Sequence, residues 1–125
     1  MNEMALVLQG GGALGAFEYG VITKLVDMGW KPVAVKGVSI GAVNAAAIAG
    51  AKNGDINASL ARIWRAITLP TVPWLPAAMQ GSLSLLGNPN FWRSRTDYLQ
   101  MGSWNSLCNT DPMYATLSEH LDFAR

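Results

Sequence analysis

The chain has 125 residues, half of them apolar and 14% charged, with a formal net charge of +1. That composition fills one hydrophobic core and argues against disorder. Lys24, Lys31, Lys36, Lys52 and the five arginines are scattered, so no clustered basic face for nucleic acid is expected.

Cys108 and His120 are the only residues of their kinds. An intrachain disulfide and a thiolate metal cluster are excluded, and no metal or other cofactor is expected. The N-terminus has no basic segment and no long apolar stretch, so no secretory leader is read there. The longest weakly polar run, Val38 to Ala51, contains Ser39 and Asn44 and falls short of the ~18 residues a membrane helix needs. A cytoplasmic location is expected, with peripheral membrane contact left open; the oligomeric state is not legible.

In chain order, Met4 to Leu8 is a short apolar run that stops at glycines and reads as a buried parallel strand. Gln9 to Gly12 reads as a loop. A helix follows from Leu14 to Met28, with Phe17, Val21, Leu25 and Met28 at helical spacing and Leu14, Ile22 and Val26 beside them, Gly29 at its end and Pro32 beyond. Val33 to Val38 reads as a second strand with Ser39 at its tip. Ile40 to Ala51, rich in alanine and glycine, reads as a buried helix. Either Asp55 or Asn57 can cap a third helix whose apolar face is Leu60, Ile63, Trp64 and Ile67.

From Pro70 the character changes. Prolines and tryptophans punctuate the chain to about Leu107, and residues 69–108 read as an irregular, lid-like insertion, with a short helix over Ala77 to Leu86. Asp111-Pro112 signals a last helix, with Met113, Leu117 and Leu121 on one stripe and His120 at the surface. The order strand, loop, helix, strand, turn, helix opens a right-handed βαβ unit of an α/β fold. Two convincing strands do not complete such a sheet, and the chain ends where a third is due, so residues 1–125 read as the N-terminal part of a single domain.

Two segments carry chemistry. Gly37-Val38-Ser39-Ile40-Gly41 matches G-x-S-x-G between a strand and a helix. A serine nucleophile must project from a sharp strand-to-helix turn, and the flanking Gly37 and Gly41 permit that turn and the close approach of helix to strand. The competing structural reading is an ordinary turn whose serine caps the helix. The second segment, Gly10-Gly11-Gly12, also joins a strand to a helix. Its successive N–H groups can form a concave anion trap, and beside Ser39 they would act as an oxyanion hole, each donor lowering the barrier by about 3–4 kcal/mol.

The same glycines, with Ala13-Leu14-Gly15, satisfy the dinucleotide fingerprint G-x-G-x-x-G. That reading needs an acidic residue at the tip of the second strand, and no Asp or Glu lies between Asp27 and Asp55. It ranks second.

Leu8 to Ala16 followed by Gly37 to Ala46 closely resembles the patatin-like phospholipase family, in its bacterial branch. The resemblance implies a three-layer α/β/α fold with a parallel sheet, incomplete in this chain. It also implies hydrolysis of lipid or other acyl esters by a Ser–Asp dyad without histidine. Carried over, Ser39 is the nucleophile and Gly10, Gly11 and Gly12 supply the oxyanion hole. Leu14 stands where many members have a basic residue. The family aspartate sits in an Asp-Gly-Gly or Asp-Gly-Ala motif, and this chain contains no Asp-Gly pair. None of Asp27, Asp55, Asp97, Asp111 or Asp122 matches, so the dyad is incomplete here and these 125 residues alone are expected to be nearly inactive. A non-catalytic alternative makes Trp74 to Trp104 a membrane or partner surface; the preferred reading has these tryptophans covering the core of the complete domain.

Overall fold

The computed structural model describes residues 2–83 and 87–123. The chain divides into two compact units, residues 1–64 with 120–125, and residues 65–119.

In the first unit, β1 (Asn2–Leu8) and β2 (Trp30–Gly37) pair in parallel, from Asn2 opposite Trp30 to Leu8 opposite Gly37. β2 begins earlier than expected and passes through Pro32. The register shifts between Met4 and Ala5, where β2 carries one extra residue, Val33. A bulge beside Pro32 accommodates a residue that cannot donate to the ladder. β1 is buried on one face only. Leu8 is buried and Met4 and Leu6 are half-buried, whereas Val7 is 84% exposed. The expected fully buried strand is therefore corrected: among the described residues, the face carrying Ala5, Val7, Ala34 and Lys36 is open.

After a 3₁₀ turn at Gly12–Leu14, α1 (Gly15–Asp27) runs back to Gly29, whose φ of 85° turns the chain into β2. α2 (Ile40–Ala49) packs across both strands, and α1 packs beside α2. The buried face of α1 is turned from the expected stripe toward Ile22 and Val26 beside it. Phe17, Val21 and Met28 are exposed, while Gly15 and Ile22 are buried and Glu18, Tyr19, Leu25 and Val26 are half-buried. The contact with α2 selects this face. A Cβ on Gly15 would lie 2.6 Å from Ile40 Cγ1, so the helices meet where α1 has no side chain.

α3 (Ile56–Ile67) is capped by Asp55, whose carboxylate accepts the Ala58 N–H at 2.9 Å; Asn57 instead donates to Asp27. Ile22, Leu60 and Ile63 are fully buried. Each such side chain contributes about 1.5–3 kcal/mol of burial free energy. Leu121, just past the last helix, is buried in this unit, and the Asp122 N–H donates to the Gly50 carbonyl at 2.9 Å.

The second unit holds α4 (Ala77–Leu83), a small antiparallel sheet β3 (Gly87–Asn88), β4 (Trp92–Ser94) and β5 (Cys108–Asn109), a 3₁₀ segment at Tyr98–Ser103, and most of α5 (Asp111–His120). The expected helix over 77–86 is present to Leu83; residues 84–86 lie outside the described residues. The sheet was not expected, because strands of two or three residues show no alternation. Asparagines organise it. The Asn90 amide donates to the Ala66 carbonyl at 2.7 Å and the Asn88 amide to that of Ile67, satisfying carbonyls at the end of α3. Thr116 Oγ1 donates to the Asn90 carbonyl at 2.6 Å. Trp92 and Trp104 are half-buried, and Trp74 is 82% exposed. Among the described residues no helix is long and apolar enough to cross a membrane.

Candidate active site

The parallel pairing of β1 and β2 ends both strands on one edge of the sheet, and the Val38 N–H donates to the Leu8 carbonyl at 3.1 Å. The two segments singled out in the sequence meet there. Ser39 sits between β2 and α2 at φ 55° and ψ −125°. A non-glycine residue is held in that region only when its surroundings over-determine it. Its side chain is exposed, and its hydroxyl makes no capping bond to α2. Ser39 is the N-cap residue of α2 by position, without a side-chain cap.

Close approach of backbones creates the turn. A Cβ on Gly37 would collide with the Gly41 carbonyl oxygen, and a Cβ on Gly41 would lie 2.6 Å from the carbonyl oxygens of Leu8 and Gln9. Only hydrogen at these positions lets α2 start directly over the end of β1.

The glycine loop lies against the serine. A methyl group on Gly10 would stand 3.1 Å from Ser39 Cβ and 3.8 Å from Ser39 Oγ. Gly11 at φ 148° and Gly12 at φ 58° adopt conformations that L side chains rarely take. The N–H groups of Gly10, Gly11 and Gly12 donate to no acceptor among the described residues, whereas the Gly11 carbonyl accepts the Leu14 N–H at 3.2 Å.

Sequence reasoning missed the side chains behind this loop. Glu18 accepts the Gln9 N–H at 2.8 Å and the Asn44 amide at 3.1 Å. Asn44 is fully buried; its amide also donates to the Gly15 carbonyl at 3.1 Å, and its Oδ1 accepts Trp64 Nε1 at 2.9 Å. Trp64 stacks on Tyr19 with ring centroids 6.2 Å apart. The available signal was a lone asparagine inside the apolar run Ile40 to Ala49, since a buried amide requires partners.

Three of the aspartates have partners away from Ser39. Asp27 holds Asn57 and Asp55 caps α3. Asp97 pairs with Arg95 at 2.6 Å and accepts Trp104 Nε1 at 3.2 Å. The hydrogen bond from Arg95 lowers the Asp97 carboxyl to about 2. Arg95 also lies 4.8 Å from the centre of the Trp104 ring. These residues belong to the second unit, where Arg93, Arg95, Asp97, Cys108 and Asp111 border an open polar cleft of about 630 Å³ that contains neither Ser39 nor the glycine loop.

A serine at a strained strand-to-helix turn thus faces a glycine loop at one edge of a parallel pair. Residues 6–125 match the family model described as patatin-like phospholipase, and the chain belongs to that family. Its parallel pair and flanking helices are those of a partial patatin α/β fold. No curated protein and no solved structure matches the chain.

Proposed function

We propose that Ser39 is the nucleophile of a serine acyl hydrolase acting on lipid acyl esters, with the N–H groups of Gly10, Gly11 and Gly12 as its oxyanion hole. Ser39 Oγ attacks the ester carbonyl carbon and its proton passes to an aspartate, as in the Ser–Asp dyad that the family implies. The negative charge that develops on the carbonyl oxygen is met by the glycine N–H groups. Collapse of the tetrahedral intermediate expels the alcohol, which takes up the proton, and leaves an acyl ester on Ser39. Water then attacks that ester, releases the fatty acid and restores the serine.

None of the five aspartates is proposed as the base, because Asp27, Asp55 and Asp97 are engaged elsewhere and none stands in an Asp-Gly motif. The 125 residues alone are expected to be nearly inactive for that reason. The dinucleotide reading is not retained, since Ser39 follows β2 where a ribose-binding carboxylate is required.

The observation that carries the proposal is the close approach of Gly10 to Ser39, where an added methyl group would stand 3.1 Å from Cβ and 3.8 Å from Oγ, with Ser39 exposed and held at positive φ. The test is a fluorophosphonate probe with mass-spectrometric mapping, run beside an ester assay on the natural full-length gene product. Labelling at Ser39 is expected, with both labelling and hydrolysis lost in Ser39→Ala. Undiminished hydrolysis by Ser39→Ala would reject the assignment.

A further inference from the structure

We propose that Glu18 and Asn44 are positioning residues that lock the glycine loop to the helix behind Ser39. This deepens the nucleophile assignment and rests on it. Gln9 is the last residue before the glycines, and its N–H donates to one oxygen of Glu18 at 2.8 Å. The other oxygen accepts the Asn44 amide at 3.1 Å. Asn44 lies on α2, the helix that begins directly after Ser39, and the same amide nitrogen holds the Gly15 carbonyl at the start of α1. One carboxylate thus bridges the loop that follows β1 and the helix that follows the serine.

The chemistry explains the residue types. Two N–H donors approach from different elements, so the group between them must accept on both sides. A carboxylate does this; a carboxamide would turn its NH₂ toward one donor. Asn44 must in turn present donors to Glu18 and Gly15 and an acceptor to Trp64, which an aspartate does not do. Asn44 is fully buried, so its orientation is fixed by these bonds. The clamp sets where the glycine N–H groups stand relative to Ser39 Oγ, and the stabilisation of a developing oxyanion is steep in that distance.

The test compares Glu18→Gln, Asn44→Ala and a control, Asn57→Ala, in the natural full-length product. The control removes the Asn57–Asp27 bond, which lies outside the clamp. Two quantities are read: amide hydrogen exchange of the Gln9 segment, and the rate of fluorophosphonate capture at Ser39. Glu18→Gln and Asn44→Ala are each expected to speed Gln9 exchange and to slow capture by about tenfold, the size of one lost charge-assisted hydrogen bond. The control is expected to leave both at wild-type values.

Unchanged Gln9 exchange in a folded Glu18→Gln protein overturns the clamp. Faster exchange with unchanged capture overturns its positioning role. Absence of capture in the wild type overturns the nucleophile assignment instead, while the exchange data still decide whether the clamp exists. If Glu18→Gln does not fold, Glu18→Asp, which withdraws the charge by one methylene, carries the same comparison, with partial recovery of capture expected.

Discussion

Ser39 at φ 55° carries a backbone cost of order 1–3 kcal/mol that the surrounding turn must offset. Glycine pays no such cost, so Ser39→Gly is expected to raise the unfolding free energy by about 1 kcal/mol while abolishing phosphonate capture, measured by urea denaturation and mass spectrometry. Opposite signs for stability and reactivity would mark the strain as belonging to the chemistry. Gly10→Ala tests the facing side of the site. Its methyl would stand 3.1 Å from Ser39 Cβ, and the displaced loop is expected to slow capture by about a hundredfold with little change in unfolding midpoint.

Asp97 gives a residue-scale prediction in the second unit. Its folded-state value, about 2, lies below the ordinary aspartate value of 3.8 because Arg95 donates to the charged form. A depressed carboxyl contributes stability above its unfolded value and loses it as pH falls toward the folded one. The window is therefore pH 4 down to 2. The Asp97 side-chain carboxyl carbon is expected to titrate with a midpoint of about 2, and Arg95→Met to move that midpoint up toward 3.8, followed by NMR. The pair lies half-buried at the surface, where solvent screens it, so a large change in folding stability is not expected.

Among the elements, α3 depends on its cap. Asp55→Ala removes the bond to the Ala58 N–H and is expected to cost about 1 kcal/mol, read from the urea midpoint; Asn57→Ala does not touch the cap. The sequence left those two residues as alternatives because both are good capping types at the same boundary. Only the placement of Asp27, at the far end of α1, drew Asn57 away. The two strands and the first three helices were legible because local patterns specify them, apolar runs broken by glycine and a serine between Gly37 and Gly41, and the approach of Gly10 to Ser39 followed from two parallel strands ending on one edge. The buried face of α1 was not, since it is chosen by the packing of Gly15 on Ile40, a partner 25 positions away. Glu18 was hidden for the same reason: a glutamate on an amphipathic helix reads as solvated until α2 brings Asn44 beside it.

At the scale of the molecule, the first unit stands on few fully buried side chains. Leu60→Ala is expected to cost about 2–5 kcal/mol, lowering the urea midpoint for the unit that holds Ser39. Among the described residues, the second unit is tied together by asparagine and threonine bonds to backbone, and its short strands carry no periodic signal. Membership of the family reaches across both units, from residue 6 to residue 125.

The two-stranded parallel sheet has a practical consequence. Among the described residues neither β1 nor β2 has a second neighbour, and Val7 stands bare on the sheet's open side. Unpaired ladders beside exposed aliphatic surface recruit other strands. Concentrated preparations of these 125 residues will be governed by colloidal behaviour at that flank, and lysines placed at positions 5 and 7 are the first remedy for turbidity.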